Sequence, residues 1–464
     1  MSTEARPERA SVRLSPRTIV LYAIGSLGTG GYATLPGLVL TYFLTDNLGV
    51  AALAAGLIVT AAKIWDVLID PLIGAASDRQ LARTGSRRGF MVTGALTLPL
   101  FFALTFAVPP SWGPVAGAIS VLLAFLATAT AFSLFQVPYV ALPAELTGDY
   151  DERTRLLGWR VVVLTAAILL FGAGGPALRN AGDDPVLGYL LMGIASGVVI
   201  GIGMLIAART ATIAARRTEA APAAAIADST WRDQYMSGFR ALRRSQPFRA
   251  LLGTFVLQAL ATGTMLAGAQ YVATWVLRSE DAVTFVFVAL VGPALLATPV
   301  WTVIARRIGK ERAFAMASVL FTAAAATLVF AVWAPGAWIY ASVAVAGIAY
   351  AGLQSLPMAM LPDVISHDER TSGPGQAGTF TGIWTAGETV GFALGATAVS
   401  LTLAATGYIS TVAGATVEQP EAAITGIVLS FSILPAVLMA ASLLTLRHYR
   451  LRRADIEAVG TSDA

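Results

Sequence analysis

Hydrophobicity along this chain comes in long blocks separated by short polar stretches. Apolar residues dominate 18–44, 51–76, 90–109, 113–141, 161–178 and 187–208, and then 249–277, 283–304, 314–333, 338–361, 377–405 and 423–446. A run of about 20 residues spans a hydrocarbon layer of ~30 Å as a helix. The pattern therefore predicts an all-α membrane protein of twelve transmembrane helices. A polar, Ala-rich and basic segment, 209–248, divides the blocks into an N-terminal six-helix half (1–208) and a C-terminal six-helix half with a tail (249–464).

The second block carries an anomaly, Lys63-Ile-Trp-Asp66-Val-Leu-Ile-Asp70-Pro71. Helical spacing of i, i+3, i+7 lines Lys63, Asp66 and Asp70 along one stripe. Each charge at bilayer depth costs roughly 2.5–3.5 kcal/mol on insertion scales. A stripe kept at that cost is expected to face a water-filled path or an ion.

Composition supports the membrane reading. The chain is 56% hydrophobic and 12% charged, against about 25% charged in soluble domains, and mean hydropathy is +0.70. The absence of cysteine excludes a disulfide framework, thiol catalysis and Cys-ligated metal. The two histidines, His367 and His448, stand alone, and neither Lys63 nor Lys310 sits in a Gly-rich phosphate loop. An enzyme and an ATP-driven pump are both disfavoured. Ala- and Arg-rich usage with two lysines suits a GC-rich bacterial genome. The first apolar block is too long, and lacks the small-x-small site, for a cleaved signal.

The pI of 9.4 invites a nucleic-acid reading, but the basic residues lie where topology needs them. They fall in the leader (Arg6, Arg9, Arg13, Arg17), after blocks two, four, eight and ten, in the middle segment and in the tail. Only Arg179 and Arg278 fall on the other side, with Asp46, Asp183, Asp184, Glu280, Asp281, Glu418 and Glu421. The positive-inside rule then puts both termini in the cytoplasm of a bacterial inner membrane, with lipid but no nucleic acid as a partner.

The halves also repeat. Ala141-Leu-Pro-Ala-Glu145 with Asp151-Glu-Arg-Thr154 matches Met360-Leu-Pro-Asp363 with Asp368-Glu-Arg-Thr371. The basic hairpin Asp78-Arg79…Arg87-Arg88-Gly89 matches Arg306-Arg307-Ile-Gly309-Lys310-Glu-Arg312. Loops repeated six spans apart indicate parallel halves that rock about a shared site.

Together, Tyr22…Gly25…Gly28, the Lys63-Asp66-Asp70-Pro71 run with Gly74 and Asp78-Arg79, Pro138-Tyr139, the Asp-Glu-Arg-Thr turn with Arg160, the Pro362-Asp363 turn and Gly407-Tyr408 resemble the major facilitator superfamily. Within it they resemble the glycoside–pentoside–hexuronide:cation symporter (melibiose-permease-like) family. The resemblance covers nearly the whole chain. It implies a coupling-cation site at Asp66, Asp70 and Ser133 beside Lys63, taking Na⁺ or H⁺ without any other cofactor or metal. It also implies gating ion pairs among Asp78, Arg79, Arg88, Glu145, Arg160 and Asp363. The family's sugar-binding acids fall on Gly30, preceded by Thr29, and on Gln136. Family aromatics fall on Val140 and Gln354, and the family's lysine of span eleven falls on Glu388. The cation half of the site is retained and the glycoside half is not.

From the residues themselves, Asp66 and Asp70 either serve an ion or form a buried network holding helices together; the cost of intramembrane acids favours the ion. Lys63 is either a counter-ion and switch or a neutraliser. Glu388 is either a substrate or proton group or a partner of Lys63. Gln136, Gln354, Gln258 and Gln270, with Trp384, Tyr139 and Phe135, are candidate pocket residues, and Gly30 would enlarge a cavity beside it. The span-eleven glycines Gly382, Gly387, Gly391 and Gly395 are read first as close-packing positions. The expected function is cation-coupled symport of a small solute, by resemblance a sugar or sugar conjugate, by a monomer. The alternatives are a proton-coupled exporter or transporter of an amphipathic compound or lysolipid, and a receptor that moves nothing.

Overall fold

The computed structural model describes residues 13–147, 149–182, 184–218, 242–372, 377–415 and 417–451. Eleven of its helices are long and apolar enough to cross a membrane. The twelfth span is the first, which is interrupted at Gly25 into Pro16–Ile24 and Ser26–Tyr42. Spans two to six are Ala52–Thr84, Arg88–Phe106, Gly113–Leu146, Tyr150–Arg179 and Pro185–Thr218. Spans seven to eleven are Gln246–Tyr271, Ala282–Ile308, Lys310–Thr327, Trp338–Ser372 and Ala377–Ala405. Span twelve is Glu421–Phe431 and Ile433–Leu446, broken at Ser432, where Pro435 leaves a backbone acceptor without its donor. Among the described residues the one β-contact is an isolated antiparallel bridge, Leu48 to Val412.

Several helices overrun their apolar blocks. Span two continues to Thr84, span five starts at Tyr150, span six reaches Thr218 and span ten reaches Ser372. An apolar block measures the hydrocarbon layer, whereas a helix continues into water wherever its backbone stays paired. Two readings change as a result. The Asp-Glu-Arg-Thr run at 151–154 lies in the first turns of span five, and Pro362-Asp363 lies inside the span-ten helix; neither is a turn. The start of segment 209–248 is helical, its end belongs to span seven, and 219–241 lie outside the described residues.

Within the first half, span three packs on four and six, two on four, and one on five and six. Within the second, eight and nine pack on ten, and seven on eleven and twelve. Glycine permits the closest of these approaches. A Cβ at Gly395 would lie 2.4 Å from the carbonyl carbon of Gly263, and one at Gly391 would lie 2.7 Å from the Ala259 Cβ. These span-eleven glycines are packing positions.

The halves meet through spans two and eleven, five and eight, and one and seven. Thr60 donates to the Ala393 carbonyl at 2.8 Å and contacts the Thr397 hydroxyl at 2.5 Å. Further toward the end opposite the termini come Asp46 with Tyr408, Thr45 with Tyr271, and Arg179 with Glu280.

Candidate functional site

Span two brings its three charges together about midway along the helix. Asp66 is buried, and its Oδ2 accepts from the Tyr32 hydroxyl at 3.0 Å and from Lys63 Nζ at 3.3 Å. The ammonium also lies 3.7 Å from the centre of the Tyr32 ring and 5.8 Å from that of Phe125, a cation–π setting that holds a charge away from bulk water. One turn along, Asp70 faces Ser133 of span four as well as Asp66 and Lys63. Among the described residues, neither Asp66 Oδ1 nor Asp70 Oδ1, both buried, has a hydrogen-bond partner. Leaving a buried acceptor unpaired costs about 1–3 kcal/mol, more when it is charged. Two such hard oxygens on one helical stripe suit a small cation or a proton.

One turn beyond Ser133 on span four, Gln136 Oε1 accepts from the Thr29 hydroxyl of span one at 2.8 Å. A neutral hydrogen bond thus joins the two helices that carry these candidate solute residues. Gly30 opens no cavity: a Cβ there would lie 2.7 Å from the Ala167 Cβ and 3.2 Å from span-five backbone, so the glycine serves close packing.

In the second half, Gln354 donates to the Tyr350 hydroxyl at 2.6 Å, and Glu388 lies in the same electrostatic neighbourhood. Glu388 is half-buried. Among the described residues no ion pair joins it to Lys63, which is bonded to Asp66 instead. Trp384 is 1% exposed and stacked on Phe255 with ring centres 4.1 Å apart. Tyr139 and Phe135 are likewise fully buried and stacked together. The Tyr139 hydroxyl donates to the Tyr22 carbonyl at 2.8 Å. Gln258 reaches Ser318 and Ser442 inside the second half, and Gln270 bonds Thr274.

At the end carrying the termini, the arginine of the basic hairpin that makes ion pairs among the described residues is Arg87, and not Arg79 or Arg88. Arg87 reaches Glu145 at 2.5 Å and Asp78 at 2.6 Å, and also bonds Ser77. Burial alone would lower the Arg87 pKa, but the hydrogen bonds and charges of Glu145 and Asp78 outweigh it and raise the value above that of an ordinary arginine. Arg79 and Arg88 are exposed and make no ion pair among the described residues. Arg160 lies over the Tyr139 ring at 5.4 Å and not in this network. The second half repeats the arrangement, Lys310 reaching Asp363 at 2.6 Å and the Ala359 carbonyl at 2.9 Å. Arg87 with Glu145 and Lys310 with Asp363 thus join equivalent spans.

Tyr32 and Arg87 are the site residues that sequence reasoning passed over. Arg87 stood in the recognised basic hairpin, so its neighbourhood was visible; Tyr32 is one of three tyrosines on span one, with Tyr22 and Tyr42, and nothing in the sequence set it apart.

Residues 21–453 match the protein-family description MFS/sugar transport protein. The chain belongs to that family. It is a multi-pass membrane transporter and not an enzyme. Its sequence is 24% identical to an uncharacterized symporter, sll1374, of Synechocystis sp., covering 94% of each chain. It is also 24% identical to the putative glycoside/cation symporter YagG of Escherichia coli K12, over 96% of this chain and 94% of that one. In fold it is similar to a D-xylose–proton symporter, with TM-score 0.66 at 14% identity, covering 94% of this chain and 98% of the other.

Proposed function

We propose that the protein is a cation-coupled symporter of a sugar or sugar conjugate, working by alternating access. The pair of unpartnered carboxylate oxygens on Asp66 and Asp70 carries this reading. In it, the coupling Na⁺ or H⁺ binds at Asp66, Asp70 and Ser133. Lys63, held by Tyr32, offsets one negative charge while the ion is away. Relatives named as symporters, one of them a putative glycoside/cation symporter, favour this function over export of an amphipathic compound.

The solute sits between the halves, where Thr29 with Gln136 and Tyr350 with Gln354 offer neutral donors and acceptors suited to hydroxyls. Glu388 supplies an acid on the second-half side. Residues 1–208 and 249–464 act as the rocking units, each carrying its own ion pair, Arg87–Glu145 and Lys310–Asp363. The protein works as a monomer in a bacterial inner membrane. Both termini face the cytoplasm, and the end carrying Asp46 faces out.

The test is uptake into proteoliposomes, with a panel of pentoses, hexoses, hexuronides and glycosides under an inward Na⁺ or H⁺ gradient. The wild type is expected to accumulate one class. Asp66→Asn is expected to lose accumulation while still exchanging that solute across the membrane without a gradient. Undiminished accumulation in Asp66→Asn removes the cation-site assignment.

A further inference from the structure

At the outward end the two halves close over a buried acid that, among the described residues, has no basic partner in direct contact. Asp46 follows span one, and each of its oxygens is served by one hydroxyl. Tyr408 donates to Oδ1 at 2.5 Å and Thr45 donates to Oδ2 at 2.5 Å. Both hydroxyls are tied to the other half. The indole N–H of Trp275 donates to the Tyr408 oxygen at 2.8 Å. An indole nitrogen can only donate, so this bond turns the Tyr408 proton toward Asp46. The Tyr271 hydroxyl lies 2.7 Å from Thr45. With the Thr45 proton on Asp46, Tyr271 becomes the donor in that contact. Two hydrogen-bond chains, Trp275 to Tyr408 and Tyr271 to Thr45, therefore run from the second half onto one carboxylate of the first.

The surrounding contacts brace this arrangement. Tyr42 meets Tyr271 edge-on at 5.2 Å, and Tyr271 meets Tyr408 edge-on at 5.5 Å. The Thr411 amide donates to the Thr45 carbonyl at 2.9 Å, and the Ala413 amide donates to the Asn47 carbonyl at 3.1 Å. The charged neighbours are Arg179 and Glu280, paired across the halves at 3.3 Å with Tyr189 on the arginine.

We infer that Asp46 and Tyr408 form a latch that sets the balance between the two orientations of the transporter. The outward side naming rests on the proposed topology; the latch itself does not. A buried carboxylate without a basic partner costs least when both its oxygens are hydrogen-bonded, as those of Asp46 are here. Parting the halves returns Asp46 to water, whereas closing them requires Tyr408. Loss of the Tyr408 hydroxyl therefore penalises the closed mouth selectively. The groups that bind the ion at span two are untouched. Asp46 and Tyr408 act as positioning residues, working through the equilibrium between conformers.

The absence of cysteine makes the test direct. Spin labels go on Ser111→Cys and Ala337→Cys, both exposed beyond the outward ends of spans three and nine. The distance between them is measured by pulsed electron resonance in the full-length protein in lipid. The unmodified latch gives mainly the shorter distance. Tyr408→Phe, which keeps the ring packing, is expected to raise the longer-distance population roughly tenfold, and Asp46→Asn to shift it the same way. A purely structural role predicts lower thermal stability with an unchanged ratio of the two distances, and that result overturns the latch. If Asp46→Asn does not assemble, Tyr408→Phe alone decides. Because the distances are read without solute or ion gradient, failure of the symport reading leaves this test intact.

Discussion

At the scale of single residues, charge inside an apolar background is the clearest signal. Lys63, Asp66 and Asp70 stood out because nothing else in that block is ionisable, and the structure brings all three to one stripe with two acceptor atoms unpaired. Glu388 stood out for the same reason. It is half-buried and has no ion pair among the described residues, so Glu388→Gln removes a poorly solvated charge while keeping the shape. That variant is expected to raise unfolding stability by about 1 kcal/mol in a denaturation assay and to weaken solute binding. Unchanged values in both would make Glu388 a packing residue. Uncharged candidates were harder to read. Trp384 and Tyr139 are buried inside their own halves, but lipid, core and cavity walls are all apolar, and hydropathy cannot separate them. Adjacent arginines were equally ambiguous. Arg88 begins a helix whereas Arg87 turns inward to Glu145 and Asp78, a difference fixed by where the helix starts and not by composition. Arg87→Gln removes a buried guanidinium from Glu145 and from the half-exposed Asp78, and is expected to cost about 1–3 kcal/mol in thermal unfolding. Arg88→Gln should cost less than about 0.5 kcal/mol. Equal effects would contradict the assignment.

At the scale of elements, the positions of all twelve spans were legible, because the hydrocarbon thickness imposes a length on each apolar block. Their ends were not. Beyond the lipid a helix is terminated by local chemistry, such as Gly85 at φ +69° after span two. The overruns at spans five and ten therefore converted two expected turns into helix. Close packing between elements was partly legible from glycine spacing. Gly391 and Gly395 lie against span seven, whereas Gly30, read as cavity-enlarging, lies against span five. Gly395→Val places side-chain atoms against the Gly263 backbone and is expected to cost about 1–3 kcal/mol. Gly382→Ala meets no atom within 4 Å, and the same unfolding assay should show little change. A reversal of that order would mean that spans seven and eleven pack differently.

At the scale of the whole molecule, internal repetition indicated the architecture. The Leu-Pro-acid and Asp-Glu-Arg-Thr runs recur six spans apart, and the structure realises the repeat as two equivalent ion pairs, Arg87–Glu145 and Lys310–Asp363. Which end of the molecule is closed was not legible. Asp46 and Tyr408 are far apart in sequence, and neither belongs to a repeated run. A carboxylate stripe on span two lies about 9 Å, six residues of helix rise, from the Thr60 contact with span eleven. In the proposed reading, the ion site and one contact between the halves share this helix, which is the physical basis for coupling.

The central claim is that the acids of span two hold the coupling ion during the cycle. It is tested most directly by the ion movement that solute itself drives. Proteoliposomes without a gradient are given a pulse of the transported sugar while external Na⁺ and pH are recorded. The wild type is expected to draw one of the two ions inward with the sugar. Asp70→Asn is expected to exchange sugar with no accompanying ion. Ion entry of wild-type size in Asp70→Asn, with sugar exchange intact, would contradict the account.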